Sequence, residues 1–368
     1  MSYFRDNIDR MIGYVPGEQP AEGARVIKLN TNENPYPPSP RAMERLRGLD
    51  GDLLRRYPDP MSGPVRRAVA AALDVPADWV IVGNGSDDVL AMLFKACCGP
   101  GRPAAYAMPT YVYYRTLAQI QDAPCIEPAF DDDYNLPVDE LARADAALTL
   151  VASPNSPSGT LVPADVLDDL AGRLAGLLVV DEAYVDFADD NALRLVRRRP
   201  NVVVLRTLSK GYSLAGLRLG FGIAQPALLP NLVKVKDHYN LDAAACLVGA
   251  AAIEDQEHMR ANARKVQASR AVLAEGLKRL GFRVWPSQAN FLLARPGDGQ
   301  AQRLYLGLKA RGILVRYFNE GRLDDKLRIT VGADEQNQAL LTALRELATN
   351  DADNKGSREQ RGQHEQKR

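Results

Sequence analysis

Four short runs constrain this chain more than any other feature: "WVIVGNG" (79–85), "AALTLVASP" (146–154), "GLLVVDEAY" (176–184) and "NVVVLRT" (201–207). Each is β-branched or aliphatic and free of charge until its last residues, the pattern of a strand buried on both faces. The segments between them carry helical spacing. "SDDVLAMLFKACC" (86–98) follows the first run, and "PADVLDDLAGRL" (163–174), with Pro163 near its first turn, follows the second. Uniformly apolar strands separated by helices imply a mostly parallel sheet covered on both sides. In such sheets ligands collect at the carboxyl ends of the strands.

Beyond residue 240 the character shifts. An alanine-rich helical stretch (242–281) leads into "FRVWPSQANFLLARP" and "GILVR…LRITVG", which alternate apolar and polar residues as half-buried strands do. The expected plan is an arm at 1–40, a large domain at 41–240, a smaller α+β domain at 241–349, and a disordered tail at 350–368 rich in charge and Gln.

The 368 residues carry 46 basic and 46 acidic groups, so no charge excess points to nucleic acid or a membrane surface. No stretch approaches the length of a membrane span, and the first twenty residues do not read as a signal peptide. The four cysteines lack metal-ligand spacing and read as reduced thiols of a cytoplasmic protein. With only three histidines, His-based triads and metal cages are not expected.

Unusual residues stand where the strands end. Gly85, Ser86 and Asp87 open a helix after the first strand. Asn155 follows the second, Asp181 ends the third, and Lys210 follows the fourth. Each has an ordinary explanation: a glycine turn is often only a loop, an acidic pair often a cap, an asparagine among prolines often a turn, and a lysine often exposed. "GNGSD" is not the P-loop pattern, although a helix N-terminus suits an anion. In a parallel sheet, however, all four features meet at one edge. A lysine can form a Schiff base with a carbonyl cofactor. Pyridoxal phosphate (PLP) needs such a lysine, an anion site, a carboxylate for its ring nitrogen and a donor for its ring oxygen. Lys210, the helix start at 85–87, Asp181, and Asn155 or Tyr184 supply them. Arg218, Thr207 and Ser209 add a guanidinium and two hydroxyls for the phosphate.

Together, "SPNSPSG", "VVDEAY", "RTLSKGYSLAGLRLG" and "VGNGSDD" resemble the fold-type-I PLP-dependent aminotransferases, over roughly residues 10 to 345. The resemblance implies that Lys210 forms the imine and moves the proton, and that Asp181 pairs with the pyridine nitrogen. Asn155 and Tyr184 would contact the ring oxygen, and Tyr111 would stack on the ring. Gly85, Ser86, Asp87, Thr207, Ser209 and Arg218 would hold the phosphate. Tyr57 would reach the phosphate of a neighbouring subunit, making the active unit a homodimer. Arg328 would bind the carboxylate of glutamate; Arg316 and Tyr14 would help bind the substrate. The implied partners are a small amino donor and 2-oxoglutarate. Two departures stand out: Ser156 and Ser158 replace Asn and Thr, and "KDHYNLD" places His238 beside the expected substrate path. An aromatic transaminase or a threonine-phosphate decarboxylase would share much of this pattern. A non-catalytic regulator would need a DNA-binding domain that the short arm does not supply.

Overall fold

A computed structural model of the chain describes residues 2–13, 23 and 25–348. Tyr14 and the tail from 349 lie outside the described residues. The chain forms two compact units. The first comprises Glu33–Lys265 and Pro286–Asn290 together with the N-terminal helix. The second takes in Val266–Trp285, the strand Ile27–Leu29 and the described chain from Phe291 onward.

The first unit is built on a seven-stranded sheet. Its order is Val80–Asn84, Leu219–Ala224, Val202–Thr207, Leu177–Asp181, Leu148–Ala152, Ala104–Tyr106 and Cys125–Ile126. The pairings are parallel except on either side of Leu219–Ala224, which runs antiparallel to both its neighbours. The expected runs are strands close to their expected limits. Both faces are buried because alternate residues enter different cores. Val202, Val204 and Val180 pack on one side, and Val203, Leu205 and Val179 on the other. All six are fully shielded from solvent. Such burial contributes about 1.5 kcal/mol or more per side chain relative to exposure.

The helix Ala243–Glu254 belongs to this first unit, where it packs on Gly63–Leu73 and Pro40–Arg47. Ala245, Cys246, Val248, Gly249, Ala250, Ala252 and Ile253 are all buried. A helix apolar on nearly every side needs neighbours all round, which accounts for its place in the larger body.

The second unit holds a five-stranded sheet in the order Ile27–Leu29, Ile313–Tyr317, Leu327–Thr330, Phe291–Arg295 and Arg283–Val284. Its first pairing is parallel and the remaining three are antiparallel.

Candidate active site

Parallel alignment brings the ends of Leu148–Ala152, Leu177–Asp181 and Val202–Thr207 to one edge of the large sheet. Ala152 stands beside Asp181, and Asp181 beside Leu205. At this edge lies a cavity of about 190 Å³. Lys210, Asp181, Tyr184, Tyr111, Arg218, Thr207, Ser209, Ser86 and Asp87 all line it.

Asp181 is 5% exposed. Its Oδ2 accepts from Tyr114 Oη at 2.8 Å and its Oδ1 from the Ala183 N–H at 3.2 Å. Burial raises its pKa to about 6, and the nearby carboxylates of Asp87 and Glu182 push the same way. The hydrogen bonds from Tyr114 and Ala183 oppose that rise. Tyr114 is itself pushed upward by burial, so it remains a donor. A carboxylate in this position is stabilised by any cation that enters the cavity.

The helix Ser86–Cys97 begins at the cavity wall. Gly85 precedes it with φ +79°, and a Cβ there would lie 2.8 Å from Arg218 Nη2. Glycine therefore supplies both the left-handed turn and the room for the guanidinium. Arg218 is itself left-handed, at φ 54°. Its Nη2 lies 3.2 Å from Asp87 Oδ2, and Asp87 Oδ1 accepts from Tyr111 Oη at 3.1 Å. Thr207 Oγ1 donates to Ser209 Oγ at 3.0 Å. Free helix N–H groups, hydroxyls and a half-exposed arginine make an anion cradle.

Lys210 Nζ lies 5.7 Å from the centre of the Tyr184 ring. Its loop is closed at the neck by Leu208 N–H to Leu219 O at 2.9 Å, on the antiparallel strand. Beneath it, Arg206 Nε donates to the buried Glu182 Oε2 at 2.8 Å.

Asn155 is fully buried, and its side chain is held between its own loop and the segment carrying Pro109 and Thr110. Its Oδ1 accepts from Thr110 Oγ1 at 2.7 Å, and its Nδ2 donates to Ser158 Oγ at 2.9 Å. The neighbouring Pro154 and Ser156 line the cavity. Tyr57 is 81% exposed and stacks on Tyr239 with ring centres 4.6 Å apart. His238 is exposed. Asn240 Nδ2 donates to Asp88 Oδ2 at 2.8 Å, and Asp88 Oδ2 also accepts the Asn84 N–H. Sequence reasoning singled out Tyr111 but missed Tyr114, which stands in the first turn of the helix Tyr113–Ile120 that follows it.

In the second unit, Arg316 and Arg328 face each other across an antiparallel pair. Arg328 Nη2 donates to Asn30 O at 2.9 Å. Both guanidinium groups lie near the Phe318 ring, at 5.1 and 5.6 Å. Like charges directly opposite are unfavourable, and an anion between them relieves the repulsion.

Comparison with known proteins gives this arrangement a lineage. A family model described as aminotransferase class I and II matches residues 24–344. The chain belongs to that family. Among its relatives in the class I and II aminotransferases is histidinol-phosphate aminotransferase 1 of Trichormus variabilis. It is 57% identical over 346 residues, covering 94% of this chain and 99% of the relative. Histidinol-phosphate aminotransferase of Geobacter sulfurreducens is 46% identical over 347 residues, covering 94% and 99%. The structure of the Sinorhizobium meliloti histidinol-phosphate aminotransferase, solved in complex with pyridoxal-5'-phosphate, superposes with a TM-score of 0.86. It is 26% identical and covers 94% of this chain and 98% of that one. The chain thus has the fold-type-I aminotransferase architecture.

The cavity fits pyridoxal phosphate on its own chemistry. The amine of Lys210, the buried carboxylate of Asp181 and the anion cradle at Ser86 and Arg218 line one space. Those are the groups that an aldehyde, a pyridinium nitrogen and a phosphate require.

Proposed function

We propose that the chain is a PLP-dependent aminotransferase acting on L-histidinol phosphate, with 2-oxoglutarate as acceptor, to give imidazole acetol phosphate and glutamate in histidine biosynthesis. The observation that carries the chemistry is the single cavity shared by Lys210, Asp181 and Arg218. The substrate rests on the relatives at 46–57% identity, which are named for this reaction.

When bound, the cofactor supplies a carbonyl that links reversibly to amines and a ring that accepts the electron pair of the substrate carbon. Lys210 would hold the cofactor through its Nζ. Released from that link, the same Nζ would act as base and then as acid, taking the proton from the substrate carbon and returning it. Asp181, ionised beside a ring cation, keeps that ring protonated, and Tyr114 fixes the carboxylate in place. Ser86, Thr207, Ser209, Arg218 and the backbone at Gly85 to Asp87 hold the phosphate. Tyr111 packs on the ring and Tyr184 serves its oxygen, whereas Asn155, its Nδ2 engaged by Ser158, shapes the loop that brings Pro154 and Ser156 to the cavity. Arg316 and Arg328 bind the anionic ends of the two substrates, and Tyr14 from the arm assists.

The enzyme works as a homodimer in the cytoplasm. Exposed Tyr57, stacked on Tyr239, is suited to reaching a second subunit. Four free cysteines accord with a reducing compartment. Among the described residues no helix is long and apolar enough to cross a membrane.

An amino-donor panel with 2-oxoglutarate tests the reading. Histidinol phosphate is expected to be used in strong preference to phenylalanine, tyrosine and threonine phosphate. Preference for an aromatic donor, or carbon dioxide release from threonine phosphate, would overturn it.

A further inference from the structure

The peptide unit joining Lys210 to Gly211 is held at both of its polar atoms by side chains from outside its loop. Its carbonyl oxygen, on Lys210, accepts from Asn34 Nδ2 at 3.0 Å, and the same nitrogen lies 3.3 Å from Gly211 O. Its N–H, on Gly211, donates to Asp186. A Cβ on residue 211 would collide with the Asp186 carboxylate, so a glycine is needed there.

The Asn34 amide has only one workable orientation. Its Oδ1 accepts the Tyr36 N–H at 3.1 Å. The end facing the lysine loop must therefore be the nitrogen, since an oxygen would meet two carbonyl oxygens. Asn34 is not a loosely held residue either. The strap that follows it, residues 35–39, is fastened to Asp255 and to the start of the helix Gln256–Arg279. Pro37 O accepts from Asn262 Nδ2 at 3.0 Å and lies 3.1 Å from His258 Nε2. Ser39 Oγ donates to Asp255 Oδ2 at 2.5 Å. Lys265 Nζ sits 5.0 Å from the centre of the Tyr36 ring.

We infer that Asn34 is a positioning residue for Lys210, its carboxamide fixing the lysine backbone from the side opposite Asp186. This rests on the functional reading above and goes beyond it, because Asn34 acts through the loop and not on the substrate. One hydrogen bond accepted by the peptide oxygen and one donated by its N–H, on opposite sides of the same peptide, restrict its rotation, and with it the direction in which the lysine side chain leaves the chain.

The test uses the cofactor-loaded protein and the isosteric change Asn34→Asp. The aspartate keeps the size and the acceptor for Tyr36 but cannot donate. N34D is expected to lose at least half the visible circular dichroism of the bound cofactor, and to release cofactor about tenfold faster on dilution. Asn34→Ala should behave similarly, and it supplies the test should N34D not fold. Wild-type dichroism and release in both variants would overturn the inference. So would a normal N34D beside an altered N34A, which would show that the residue only fills space. A wild-type chain with no Lys210-dependent visible band would overturn the functional reading itself, an outcome separable from the others.

Discussion

Tyr114 Oη donates to Asp181 Oδ2 at 2.8 Å, and neither side chain is open to bulk water. The contact restrains a carboxyl that burial drives to a pKa of about 6, above the ordinary value of about 4. Folding therefore disfavours its ionised form. In the cofactor-free chain this costs stability as pH rises from about 4 to about 6, and the cost persists above that. Asp181→Asn should raise the stability of the cofactor-free chain by about 1–3 kcal/mol at pH 8, with no gain near pH 4. The same variant should lose activity about 10²-fold or more, because the ring cation loses its partner. Urea melts at the two pH values and a turnover assay check both signs.

Lys210 lines the cavity at the end of a central strand. Lys210→Ala should abolish the visible absorbance that the cofactor gains on attachment, and reduce turnover about 10³-fold or more. A spectrum of the reconstituted variant is sufficient. Retention of both band and turnover would contradict the assignment.

Arg218 and Gly85 share one small volume at the helix start. Arg218→Met should weaken cofactor binding by about 10–100-fold, the loss of a charge-assisted contact. Gly85→Ala should act in the same direction, through both the left-handed turn and the displaced guanidinium. Equilibrium titration with cofactor measures each.

Arg206 and Glu182 form an ion pair at 2.8 Å, with the glutamate side chain 1% exposed. Burial raises the Glu182 pKa and Arg206 opposes that rise. Arg206→Met should cost about 3–5 kcal/mol by stranding a buried charge. Adding Glu182→Gln should recover part of that loss, as read by denaturant melts of the double variant.

Arg316 and Arg328 oppose each other on neighbouring strands. Arg328→Met should raise KM for 2-oxoglutarate by about 10–100-fold while leaving thermal stability equal or higher. A fall in stability with unchanged KM would argue against an anion site.

The large sheet was readable because strands covered on both faces leave charge-free runs, and Val202–Leu205 alternates between two cores as such a run must. Lys210, Asp181 and Ser86 were readable for a related reason: polar groups at the ends of apolar strands are conspicuous. The reversed strand Leu219–Ala224 was not singled out. Its run "LGFGIA" resembles any buried strand, and only the short link from residue 208 to 218 reveals its direction, since a parallel crossover needs more chain. The boundary near residue 240 followed a change in composition, whereas the helix Ala243–Glu254 is placed by its all-round apolar surface. Asn155 was visible as a residue type, but the direction of its carboxamide depends on Thr110 and Ser158, which are distant or ordinary in sequence. Asn34 lies 176 residues from Lys210, and no local pattern links them.

The antiparallel strand beside Val202–Thr207 has a consequence for how this scaffold diversifies. The segment bearing Lys210 is an eleven-residue bight whose two ends are zipped together between two interior strands of the sheet. Altering its length or path means unpicking central ladder bonds. Amide protons at its base should accordingly exchange with deuterium as slowly as those of the core. New substrate preferences in such a chain have to arise at the periphery, while the chemistry stays anchored where the architecture is least forgiving.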